Sequence, residues 1–185
     1  MYQTFCYEAE ISVKDYLRNY VNVPMFVEAC KDCPHYNQVW SCPTYSFDVM
    51  EYWKQFKTLR LYVKEIRFDE MLIKEVQTED ELNIVLAEIL PQVKQEFAKE
   101  MLKLERENPG SICLSSGGSC EICREGCTKP QGRSCRHPEL MRYSLEALGG
   151  NVCRTVEEVL GLPMEWPGTG RLPRNLKLVS GLLLI

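Results

Sequence analysis

TLRLYVKEIRF, Thr58–Phe68, sets Leu59, Leu61 and Val63 two residues apart, the period of a strand with one face in a core. Downstream the period changes. Leu82, Leu86, Ile89, Val93, Phe97, Met101 and Leu104 recur every three or four residues, the stripe of an amphipathic helix. Thr78 with Glu81 forms a capping box that starts this helix, and Asn108-Pro109-Gly110 stops it after about Glu107. Pro91 inside it predicts a kink. SICLS (111–115) then reads as a short buried strand, and LKLVSGLLLI (176–185) as a long one closing the chain. Upstream, TFCYEAEI (4–11) suits a first strand, and Ser12 with Asp15 opens a short helix from Val13 to about Tyr20. Pro24 starts another, with Cys30 at its end, and DVMEYWKQF (48–56) returns to helical spacing. Pro138 is expected to open a helix reaching Gly149 or Gly150, and TVEEVLGL (155–162) is one more. Strands separated by helices predict an α+β fold. We expect a mixed sheet of about four strands with packed helices, in a single domain over residues 1–185.

The composition allows a real core: of 185 residues, 45 % are hydrophobic and 26 % charged. A formal net charge of −4 offers no basic footprint, so no nucleic-acid partner is expected. No stretch approaches the roughly 18 apolar residues of a membrane span. The start, MYQTFCYEAEIS, lacks the basic and apolar regions of a signal peptide. The expectation is a cytoplasmic protein with no membrane partner. In a reducing compartment, ten cysteines in such a chain point to metal ligation or redox chemistry before structural disulfides.

Seven of the ten fall into two cysteine-rich loops, at about 30–45 and 117–138. The second is GGSCEICREGCTKPQGRSCRHPEL (117–140), with Cys120, Cys123, Cys127 and Cys135 as C-x2-C-x3-C-x7-C. A C-x2-C pair lets two sulfurs converge on one centre, and two further cysteines complete a four-thiolate cage. The compact run is close to that of bacterial ferredoxins without matching it, and a zinc ribbon would have a second intact C-x2-C pair. Gly117, Gly118, Gly126 and Gly132 free the backbone to wrap closely. Arg124, Lys129, Arg133 and Arg136 place positive charge around thiolates. The reading is a [4Fe–4S] cluster, with a structural Zn site as the alternative.

The first group is Cys30, Cys33 and Cys42, C-x2-C-P-x7-C-P, with Pro34 and Pro43 directly after cysteines. It has only three local thiols. His35, His137, Cys6, Cys113 and Cys153 are the candidates for a fourth ligand; with none, one metal position stays open. The three remote cysteines also read as small buried hydrophobes. Ser144 and Glu146 are candidates to line a pocket beside the cluster, and Trp40, Trp166 and the tyrosines to shield it. PGTGR (167–171) reads as a turn.

CKDCPHYNQVWSCPTY followed by CEICREGCTKPQGRSCRHPELMRYSLEALGGNV resembles an uncharacterised prokaryotic family of predicted metal-binding proteins, domain of unknown function 2284. The resemblance spans most of the chain. One departure shows: CPTY (42–45) stands where the family suggests CPPY. The resemblance implies a metal-ligand role for Cys30, Cys33, Cys42, Cys120, Cys123, Cys127 and Cys135, and implies no particular reaction. The residues together predict one or two [4Fe–4S] clusters in an electron-transfer or redox accessory protein, whose partner is a redox protein or a small-molecule substrate. A zinc-stabilised interaction module is the first alternative. An enzyme using an incompletely ligated cluster as a Lewis acid is the second.

Overall fold

A computed structural model describes residues 2–118, 120, 122, 123 and 125–185. Its frame is a four-stranded sheet. Strand β1 is Tyr2–Ser12, β2 is Thr58–Phe68, β3 is Ile112–Leu114 and β4 is Asn175–Leu184, in the spatial order β1-β2-β4-β3. All three pairings are antiparallel. The α+β class and the strand number are as expected, but the sheet is not mixed. The terminal strand β4 enters between β2 and β3 and runs against both. The parallel bridge Ser115–Ser144 lies outside the named strands.

Among the described residues there are six α-helices: α1 Val13–Tyr20, α2 Val23–Cys30, α3 Val49–Trp53, α4 Glu70–Glu75, α5 Glu79–Glu107 and α6 Val152–Val159. Helix α5 follows the predicted stripe: Leu82, Ile89, Val93, Phe97 and Met101 are buried. Its capping box is complete, and the helix runs continuously through Pro91. The short α4, capped by Asp69, was not foreseen; it has no buried face to give it a period.

Alternation along β2 explains the layers. Leu59, Leu61 and Val63 pack with Tyr16, Trp53, Leu145, Leu148 and Val156 on one face. Ile66 and Phe68 pack under α5 on the other, with Leu82, Ile89 and Val93. Helices therefore cover both faces, so β2 and β4 carry near-continuous buried runs. Buried charges on β2 are paired: Lys64 with Glu100 at 2.5 Å, and Glu65 with Arg67 at 2.6 Å and Lys177 at 3.5 Å.

The helix expected from Pro138 does not form. Residues 138–149 are turns and extended chain. Ser115 N–H donates to the Tyr143 carbonyl at 2.8 Å, and Arg142 is held by Glu105, so the backbone is drawn out straight where a helix would need it coiled. The following turn ends at Gly149, whose φ is +84°. A Cβ there would stand 2.8 Å from Val23 Cα, so only glycine suits both the conformation and the close approach.

Candidate metal-binding loops

The first loop leaves the end of α2 through successive tight turns. The N–H groups of Cys33, Tyr36, Gln38 and Cys42 donate to the carbonyls of Cys30, Cys33, His35 and Val39, at 3.0–3.1 Å. This winding folds Cys42 back towards Cys30 and Cys33. Burial raises the Cys42 thiol pKa, the Cys33 and Cys30 thiolates raise it further, and the Ser41 hydroxyl and Lys129 oppose them. Burial also raises Cys30, with added repulsion from Cys33 and Glu146. The three thiols therefore sit within electrostatic reach of one another.

The second loop is closed at its base. Ser115 Oγ donates to Arg142 O at 3.1 Å, beside the Ser115–Tyr143 backbone bond. The Arg142 guanidinium binds both Glu105 oxygens, at 2.8 and 2.5 Å, and Glu105 also accepts from Cys113 N–H at 2.6 Å. One carboxylate thus ties α5, β3 and the loop exit together. Gly118, Gly126 and Gly132 all have positive φ, the wrapping role expected of them. Burial raises the Cys120 thiol pKa, and the charges of Cys135, Cys123 and Cys127 raise it further.

The two loops dock on each other. Trp40 Nε1 donates to Arg133 O at 3.1 Å and Thr128 Oγ1 at 3.3 Å. Lys129 Nζ donates to Cys42 O at 2.7 Å and Thr44 O at 3.0 Å, beside the rings of Trp40 and Tyr45. Tyr45 and Tyr143 meet edge to face at 5.0 Å. Burial raises both phenols; the next contribution comes from Cys42 for Tyr45 and from Cys135 for Tyr143. The charges of thiols in both loops therefore act on this aromatic pair. Among the described residues, no three His, Cys, Asp or Glu side chains converge into a preformed ligand cage.

The expected cations divide. Lys129 bridges the loops, Arg136 donates to Gly126 O at 2.8 Å, Arg133 contributes its carbonyl, and Arg124 lies outside the described residues. His35 and His137 are half-buried, and His137 Nδ1 is 3.7 Å from Glu139. Cys113 is buried in the core, its thiol pushed up to about 12 by burial and then by Glu105. Cys6 is exposed on β1, and Trp166 is exposed too, so neither has the buried or shielding place expected of it. Cys153 lies on α6 within the field of Glu146.

Glu146, which the sequence offered as a pocket-lining residue, has its carboxylate buried. Its Oε2 is buried with no hydrogen-bond partner. Burial raises its pKa against weaker opposition from its own N–H, Ser144 and Lys94. A Cβ at Gly117 would lie 2.7 Å from Glu146 Oε1, so the glycine that opens the second loop makes room for this carboxylate.

The fold and its loops define an α+β protein distinguished by two adjoining thiol-rich segments. The chain belongs to the DUF2284 family of predicted metal-binding proteins, whose match covers residues 17–184. No curated protein and no solved structure matches it. Among the described residues, no helix is long and apolar enough to cross a membrane.

Proposed function

We propose that the chain is a single metal-binding domain whose two loops hold iron–sulfur clusters, and that it serves electron transfer or a redox accessory role. Cys120, Cys123, Cys127 and Cys135 hold one [4Fe–4S] cluster, and Cys30, Cys33 and Cys42 a second with an incomplete ligand set. The observation that carries this reading is the docking of two thiol groups through Lys129, Trp40 and the Tyr45–Tyr143 pair. The soft all-thiolate donor set fits iron–sulfur chemistry. A cluster supplies one-electron redox chemistry when bound. The chain supplies the thiolates, the Lys129 ammonium between the loops and an aromatic screen against water.

The test is metal and sulfide analysis of anaerobically purified protein. The reading expects brown protein with broad visible absorption, iron and acid-labile sulfide. Colourless protein with stoichiometric zinc overturns it in favour of a structural zinc module, because four thiolates are also a zinc set. Cys42→Ser then separates the two loops: the paramagnetic resonance signal of one cluster changes and that of the other stays.

A further inference from the structure

The first loop offers three thiols, and a closed four-ligand centre needs one more donor. Two of the remote cysteines are placed elsewhere: Cys113 is buried beside Glu105 and Arg142, and Cys6 is exposed on β1. The fold delivers Glu146 instead. Its segment is tied to the first loop and to α2 at both ends. Upstream, the Tyr143 ring meets Tyr45 of the loop at 5.0 Å. Downstream, Gly149 O accepts from Asn22 N–H at 2.8 Å, and Gly149 closes on Val23 at the start of α2. Cys30 stands at the other end of that eight-residue helix, and the charge of Glu146 reaches it.

Glu146 Oε2 is buried and has no hydrogen-bond partner among the described residues. A buried carboxylate oxygen left bare is costly. A proton on Oε2 would only exchange an acceptor without a donor for a donor without an acceptor. Burial disfavours the ionised form, while its own N–H, Ser144 and Lys94 favour it. A Cβ at Gly117 would stand 2.7 Å from Oε1, so that oxygen is enclosed while Oε2 is bare. One oxygen held by the protein and one without a partner is the arrangement of a monodentate carboxylate ligand.

We propose that Glu146 is the fourth ligand of the centre in the first loop, completing Cys30, Cys33 and Cys42 through Oε2. The proposal rests on that loop holding a metal, and a carboxylate oxygen ligates both iron and zinc. The four donors do not form a closed cage in this structure, so the metal assembles them. Gly117, at the start of the second loop, then serves the first centre by leaving room for Oε1.

The test uses the full chain, purified anaerobically with its metal. Glu146→Gln keeps the size and removes the anionic donor. It should change the paramagnetic resonance signal of the first-loop cluster, the one that Cys42→Ser changes, and leave the second-loop signal as the control for folding. A chelator should strip metal from the first loop about tenfold faster or more. Imidazole, silent on the wild-type signal, should now perturb it by entering the vacated position. Gly117→Ala displaces the carboxylate without removing it and should also speed metal loss. Wild-type signal and retention in Glu146→Gln overturn the proposal and leave Oε2 to a buried water. A wild-type signal that already responds to imidazole overturns it too. So does a Glu146→Gln signal that shifts yet stays blind to imidazole, which marks a nearby charge and not a ligand. His35→Ala or Cys153→Ser giving the imidazole response in place of Glu146→Gln overturns it as well. Iron, sulfide and zinc are measured on the same samples. Zinc without sulfide overturns the iron–sulfur reading alone, and the ligand is then read from the visible bands of cobalt(II) exchanged into the first loop.

Discussion

Glu105→Gln tests how the second loop is held to the fold. The wild-type carboxylate accepts from Cys113 N–H and from two nitrogens of Arg142, at 2.5–2.8 Å. The side chains of Arg142 and Glu105 are only 12 % and 17 % exposed. Glutamine keeps the size and one acceptor but leaves the largely buried Arg142 without a counter-charge. Exposed ion pairs contribute about 0–1 kcal/mol, and breaking a fully buried one costs about 3–5 kcal/mol. A pair of intermediate exposure should cost about 2–3 kcal/mol. For a chain of this size that lowers Tm by roughly 5–10 °C. The pH dependence is the sharper readout. Burial alone would raise the Glu105 pKa, but Arg142 and the Cys113 N–H outweigh it and hold the carboxyl below its ordinary range. A depressed folded pKa stabilises fully above the unfolded value of about 4.3, and that stability is lost as pH falls through the folded value. Urea unfolding of wild type and variant, at equal metal content, should therefore show a gap that is constant from pH 7 to about 5 and closes in acid. A gap that stays constant down to pH 3 would refute the assignment.

Three further outcomes follow from local geometry. Lys129→Met removes both of the carbonyl contacts that Lys129 makes across the loops and should cost about 2 kcal/mol, with a red shift of Trp40 emission as its surroundings open. Gly149→Ala should cost about 3 kcal/mol, because left-handed strain adds to the Val23 contact, whereas Gly132→Ala should cost only about 1 kcal/mol. At Gly132 φ is +65° but nothing lies within 4 Å of the added Cβ, so denaturation midpoints of the two variants separate strain from collision. Thr78→Ala removes the cap of α5 and should cost about 1 kcal/mol, visible in thermal melts followed by helical circular dichroism.

The frame of the fold was legible wherever a long element buries one face. β2 and α5 carry their periods over 11 and 29 residues, and both stand where the sequence puts them. Strand order was not legible, because β4 reaches β2 across more than 100 residues and no local pattern encodes that pairing. The Pro138 helix failed for a related reason. Pro138 and Gly149 punctuate a helix correctly, but Ser115, far upstream in sequence, captures the Tyr143 carbonyl. A tertiary hydrogen bond and the Glu105–Arg142 pair together outweigh the weak preference of a short segment.

The cysteine loops show the same division. Their spacing marked which thiols lie near one another, because residues three to nine apart in turn-rich chain cannot stray far, and the charges of Cys30 and Cys33 reach Cys42 as those of Cys123, Cys127 and Cys135 reach Cys120. Spacing said nothing of how one loop meets the other. The sequence offered Arg124, Lys129, Arg133 and Arg136 as equivalent counter-charges, yet among the described residues only the Lys129 side chain of these crosses to the first loop. A compact ammonium with three rotatable donors fits between two carbonyls that diverge from one turn, where a planar guanidinium prefers parallel acceptors. Lys129 holds the backbone carbonyl of Cys42 while sitting two residues from Cys127, so one side chain couples the two loops beside the Trp40 and Tyr45–Tyr143 contacts. Lys129→Arg should therefore keep the charge and lose the clamp. It should reproduce most of the instability of Lys129→Met, and if it behaves as wild type, the charge rather than the contact joins the loops.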